Sequence, residues 1–131
     1  MVTDPISDLI TRISNASRAG KPTVTVCGSK LTESIAHTLK KAGYLSTIDK
    51  KKDAPLSDSL ELGLVYFEKT PRVNGVERIS KPSRRIYIRA NDIRMFKSGF
   101  GNTIISTPKG VLADTEARKL KVGGEILFRI W

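Results

Sequence analysis

Two apolar runs near the C-terminus set the tightest limit on how this chain folds. Ile104-Ile105-Ser106-Thr107 leads into Pro108-Lys109-Gly110, and Ile126 to Trp131 follows Gly123-Gly124-Glu125 after the length of one short helix. Short apolar runs bounded by Gly and Pro read as strands, and a strand needs a neighbour to satisfy its backbone. A sheet is therefore expected in the last third of the chain, with small polar turns at its rim. Ser, Thr, Pro and Gly after a strand are ordinary turn formers, so Ser106 to Gly110 on its own reads as a plain turn. The charge around it is what favours a contact surface.

The net charge is +10, and it is unevenly placed. Residues 1 to 66 hold nine Lys/Arg against seven Asp/Glu, whereas residues 67 to 131 hold fourteen against six. A one-sided positive field draws polyanions, nucleic acid first and an anionic membrane surface second. The membrane reading is weaker because no basic amphipathic helix of useful length is present, nor an apolar run of the roughly 20 residues that span a bilayer. With neither a secretory nor a transit pattern at its start, the chain reads as cytoplasmic or already processed.

Catalysis has little raw material. One cysteine, Cys27, and one histidine, His37, rule out an internal disulfide and a Cys/His zinc site. Cys27 closes the alternation Thr23-Val24-Thr25-Val26 and is expected in the core; His37 is expected to be solvated. Gly99-Phe100-Gly101 starts like a dinucleotide fingerprint but has Ile104 at the third glycine position, and Lys109-Gly110 lacks the Ser or Thr of a phosphate-binding loop. Asp92, Asp114, Glu116 and Glu125 are scattered, which argues against an enzyme acting on nucleic acid. No catalytic residue, metal or cofactor is expected.

Taken in order, Asp4-Pro5 starts a helix whose apolar stripe is Ile6, Leu9, Ile10 and Ile13, ending at Gly20 and Pro22. Arg12, Asn15 and Arg18 lie off the stripe, as a solvated face or a phosphate patch. Thr23 to Val26 is a strand, Ser29 opens a second helix with Leu31, Ile35 and Leu39 inward, and Gly43 ends it. Strands follow at Tyr44 to Ile48 and at Leu60, Leu62, Leu64 and Tyr66, joined by a polar turn over Lys50 to Pro55. Beyond a boundary near residues 68 to 73 come Val76 to Ile79, the connector Ser80 to Arg85 and strand Ile86 to Arg89. Asn91 or Asp92 then caps a helical turn through Met95 and Phe96, and Gly99-Phe100-Gly101 bends the chain into strand Thr103 to Thr107. Asp114 caps a short helix before the last strand. The expected class is α+β in two small domains: residues 1–68, α-β-α-β-β, and residues 73–131, mostly β with a short helix.

Lys81, Arg84, Arg85 and Arg89 with Tyr87 among them suit RNA, since cations neutralise phosphate and a ring offers a face to a base. A solvated basic edge strand has the same composition. At this point the residues resemble a known family. Asp4-Pro5-Ile6, Arg12-Ile13, Asn15-Ala16, Ser29-Lys30-Leu31, Arg78-Ile79-Ser80-Lys81-Pro82 and Arg85-Ile86-Tyr87 all stand in its order and spacing. So do Ser106-Thr107, Lys109-Gly110-Val111, Ala117-Arg118 and Gly123-Gly124-Glu125-Ile126. Together they resemble, nearly end to end, the eighth protein of the bacterial small ribosomal subunit.

The resemblance implies a two-domain structural protein that binds the central domain of 16S rRNA early in 30S assembly, beside other small-subunit proteins. Its own mRNA is a second candidate RNA. The family's contacts fall on Ser106, Thr107, Lys109, Gly110, Gly123, Gly124, Glu125 and Tyr87, with further ones near Asp4, Pro5, Arg12, Asn15, Ser29 and Lys30. Lys81, Arg84, Arg85 and Arg89 supply the salt-dependent share. On this reading the glycines admit close backbone approach, and Glu125 orients the loop by accepting hydrogen bonds. Two positions depart from the family pattern: Pro108 stands where a Ser is usual, removing one hydroxyl, and Ser83 stands where a Gly is usual.

Overall fold

The structure is a computed structural model that describes residues 4–54, 57–97 and 100–131. Its contacts divide the chain into two compact units, Pro5–Asn74 and, with Asp4, Gly75–Trp131.

In the first unit, helix α1 (Pro5–Arg18) buries Ile6, Leu9, Ile10 and Ile13, the stripe that the spacing predicts. Strand β1 (Thr23–Cys27) and helix α2 (Lys30–Lys41) follow, then β2 (Leu45–Ala54) and β3 (Ser57–Leu64). The sheet order is β1-β3-β2, all antiparallel. Ser29 caps α2, its hydroxyl accepting from the Thr32 amide at 3.1 Å. Gly43, at φ +92, ends the helix: its amide donates to Lys40 O and that of Tyr44 to Leu39 O, while Tyr44 and Leu39 are both fully buried. Only a residue free of a Cβ takes that left-handed turn without strain.

Three expectations fail here. The stripe of α2 is Thr32, Ile35, Ala36 and Leu39, and Leu31 is exposed. Positions 32, 35, 36 and 39 follow the helical repeat, whereas 31 precedes it by a turn's edge. Cys27 is exposed, because it shares the parity of Thr23 and Thr25 on the face opposite buried Val26. The polar stretch from Lys50 to Ala54 is not a turn; it continues β2, with Lys50↔Leu60 and Lys51↔Ser59 in register. Pro55 lies outside the described residues. His37 is exposed, as expected. A fourth departure is Tyr66, expected in one strand with Leu60, Leu62 and Leu64: β3 ends at Leu64, and Tyr66 pairs in a small hairpin, β4 (Tyr66–Phe67) with β5 (Thr70–Pro71), that closes the unit.

The second unit is a sheet built around one strand. β10 (Gly124–Ile130) pairs on one edge with β8 (Asn102–Thr107) and on the other with β6 (Val76–Arg78) and β7 (Tyr87–Ile88), one after the other. β9 (Gly110–Ala113), absent from the sequence reading, folds back on β8. Helix α3 (Asp114–Leu120) and a 3-10 turn (Ala90–Asp92) complete it. Ile93, Ile105 and Ala117 form a buried cluster, with Ile88, Leu112 and Val122 against it.

Two helix starts also differ. Asn91 and Asp92 sit inside the 3-10 turn, and the next residue, Ile93, turns extended and buried, so no turn forms through Met95 and Phe96. Of the expected bend at Gly99-Phe100-Gly101, Gly99 lies outside the described residues. Asp114 is the first residue of α3 and no cap; the cap position is Ala113. The Asp114 carboxylate is fully buried, one oxygen accepting from Asn102 Nδ2 at 2.8 Å and the other without a partner. Asn102→Ala removes that bond and leaves a buried carboxylate unmet. A loss of about 2 kcal/mol is expected by urea denaturation.

Candidate nucleic-acid interface

The register of the second sheet brings distant residues into one row. Glu125 on β10 lies opposite Ser106 on β8 and opposite Tyr87 on β7, and Ser106 lies opposite Val111 on β9. Residues directly opposite in antiparallel strands point to the same face, about 5 Å apart. Tyr87, Glu125 and Ser106 therefore stand side by side, with Tyr87 69% exposed.

Accounting for the polar groups shows which can serve a partner. The Ser106 hydroxyl makes no hydrogen bond among the described residues, so its donor and acceptors are free. The Thr107 hydroxyl is occupied: it donates to Gly110 O at 2.8 Å and accepts from the Lys109 amide at 3.1 Å, closing the hairpin turn Thr107-Pro108-Lys109-Gly110. One acceptor lone pair remains on it. Pro108 has no amide to satisfy there, and Lys109 and Gly110 are exposed at the tip. Glu125 accepts from Arg85 Nη1 at 3.2 and 3.3 Å. Each charge of that pair is committed to the other, and Arg85 offers less to phosphate than its exposure suggests.

The glycines divide by cause. A Cβ on Gly124 would lie 2.0 Å from Ser106 O, and one on Gly123 would lie 2.3 Å from Ile88 O. Both are required by the protein's own strands. Gly110 has open space around it and φ +110, so there the backbone conformation makes the demand.

The basic connector is a pinned loop. Ser80, fully buried, donates its hydroxyl to Ile86 O at 3.1 Å and accepts from the Ile86 amide at 2.9 Å. Lys81 and Arg84 exchange backbone hydrogen bonds at 2.9 and 3.0 Å, and both are exposed, as is Arg89. Sequence reasoning passed over Ser80, whose mark was a lone small polar residue before a Lys-Pro turn. Positive φ outside glycine falls among the described residues at Glu68, Lys69, Lys97 and Lys121, so Ser83 replaces a glycine without strain.

Asp4 belongs with the second unit, its carboxylate accepting from Arg78 Nε at 3.0 Å and Nη2 at 3.3 Å. In the first unit, Arg12 and Asn15 line a groove of about 560 Å³ together with Lys21, Thr23 and Thr25, which sequence reading did not single out. Their signal was the polar alternation of a strand that the sheet order leaves at an edge. Arg12 is held by Asp8 at 3.0 Å. Pro5 and Ser29 line a separate hollow of about 150 Å³, and Lys30 is exposed.

Among the described residues no group of three or more His, Cys, Asp or Glu side chains can hold a metal ion, and no helix is long and apolar enough to cross a membrane. Fold and site together define a cation-rich α+β protein whose second sheet carries Tyr87, Glu125 and Ser106 in one row on one face.

The chain belongs to the ribosomal protein S8 family, whose sequence model matches residues 4–131. It is 45% identical to small ribosomal subunit protein uS8 of Nitratidesulfovibrio vulgaris over all of both chains. It is 44% identical to that of Syntrophus aciditrophicus, covering 99% of this chain and 98% of the relative. The corresponding protein of Cereibacter sphaeroides is 42% identical, at 99% and 98% coverage. The chain is thus a structural ribosomal protein and not an enzyme.

Gly124→Ala should destabilise by about 3 kcal/mol, because the clash is with backbone on a paired strand. Gly110→Ala, at a positive φ with open space, should cost about 1 kcal/mol. Thermal denaturation of the two variants checks the order.

Proposed function

We propose that this chain is a structural constituent of the small ribosomal subunit that binds the central domain of 16S rRNA directly and supports 30S assembly. The contacts come chiefly from residues 73–131, with residues 1–68 adding Pro5, Arg12, Asn15, Ser29 and Lys30. Family membership and the names of the relatives support the subunit. The observation that carries the RNA contact is the row of exposed Tyr87, Arg85-bound Glu125 and unbonded Ser106, beside a hairpin tip bearing Lys109.

The chemistry fits RNA shape. An A-form major groove is too narrow for side chains, so a protein reads the shallow minor groove, the 2′-hydroxyls and unstacked bases. Ser106 is short, can donate and accept, and can meet a ribose or a base edge. Tyr87 offers a ring face and a phenol. Lys109, Lys81, Arg84 and Arg89 neutralise phosphates, and the paired Glu125 and Arg85 keep the strand rows in place without adding net charge.

Ser106→Ala should weaken binding to a central-domain transcript by about 1 kcal/mol without moving the melting temperature, since its hydroxyl has no internal role. Lys109→Ala should instead weaken binding to all RNAs alike and lower the salt slope by about 1. Filter-binding titrations over a salt series separate the two. Unchanged affinity in Ser106→Ala removes the row from the interface.

A further inference from the structure

Between β6 and β7 the chain leaves the edge of β10 and returns to it at the same residue. The Ser80 amide donates to Ile126 O at 3.2 Å, and the Ile126 amide donates to Ile86 O at 2.9 Å. Lys81 to Arg85 are thus looped out of the ladder. One side chain joins the two ends of that loop: the Ser80 hydroxyl accepts from the Ile86 amide at 2.9 Å and donates to Ile86 O at 3.1 Å. A hydroxyl donates and accepts at once, so at this fully buried position it stands in for a missing strand partner.

Inside the loop the chain folds on itself once more. Lys81 and Arg84 exchange both backbone bonds, at 2.9 and 3.0 Å, across Pro82-Ser83. Residues paired in this way stand about 5.5 Å apart at Cα, with their side chains on one face. Two exposed cations are therefore held side by side. Like charges directly opposite one another are destabilising, and no ion pair among the described residues includes either of these two. Arg85, the next cation, is by contrast bound to Glu125.

We infer that Lys81 and Arg84 act as one clamp on a single RNA phosphate, and that Ser80 is the positioning residue that holds the clamp in shape. The inference deepens the proposed RNA contact and rests on it. An anion lying between the two cations offsets their repulsion, and a phosphodiester offers one unesterified oxygen to each. A protein carboxylate suits the place less well, because Lys81 to Arg85 are all exposed and include no large apolar side chain for a partner to bury. Cations that met separate phosphates would need no fixed spacing, and each would act alone.

The test is a double-mutant cycle, read by filter binding of the full chain to a central-domain transcript over a salt series. Binding by the unaltered chain is measured first, and its absence removes the RNA reading and the clamp together. Where the unaltered chain binds, Arg84→Gln should weaken affinity about tenfold and lower the salt slope by about 1. Ser80→Ala should do nearly the same, although it removes no charge. Adding Arg84→Gln to Ser80→Ala should then weaken binding less than about twofold further, since the clamp is already open. Lys81→Gln and Arg84→Gln together should likewise lose less than the product of their separate losses. Thermal denaturation checks that Ser80→Ala folds; if it does not, Ser80→Cys, close in volume and only a weak donor, takes its place in the cycle. Multiplicative losses in either cycle, an unchanged salt slope in the Ser80 variant, or failure of both Ser80 variants to fold overturns the inference.

Discussion

The second unit depends on the approach of β10 to three other strands at once. Its backbone satisfies β8 along one edge and β6 and β7 along the other, and that approach is possible because Gly124 has no side chain where Ser106 O passes. A strand bonded on both edges has no free ladder groups of its own. It fixes the position of Tyr87, Glu125 and Ser106 relative to one another although 38 residues separate Tyr87 from Glu125 in sequence. The site is a consequence of register.

That register also decides which polar groups face inward. Thr107 and Ser80 spend their hydroxyls on shaping a hairpin and a loop, and Glu125 and Arg85 spend their charges on each other. What remains for a partner is the Ser106 hydroxyl, the Tyr87 ring and the cations at the loop tips. The groups that hold the surface are thus distinct from the groups left exposed on it, and stability should respond to substitution of the first set and not of the second.

Local signals in the sequence were enough for much of the fold. The stripe of α1, the Ser29 cap and the Gly43 stop each depend on residues within one or two turns, and the order α-β-α-β-β of the first unit follows from them. Signals that depend on pairing were not legible. Gly110 to Ala113 is too short to read as a strand, and only β8 makes it one. Lys50 to Ala54 is polar enough to read as a turn, and only β3 extends it. Cys27 was misplaced although its parity with Thr23 and Thr25 was legible, because a small apolar side chain was expected inward on type alone. The two glycines before Glu125 were visible as glycines, but nothing in the sequence says that Ile88 and Ser106 fill the space beside them.

The most direct measurement is an amide chemical-shift titration of the labelled full chain with a transcript of the 16S central domain. Shifts should concentrate on Tyr87, Ser106, Lys109, Gly110 and Glu125, and should saturate at one equivalent. Shifts confined to Pro5–Asn74, or absent from the β8–β9 hairpin at saturation, would contradict the assignment of the β10-centred row as the surface that meets RNA.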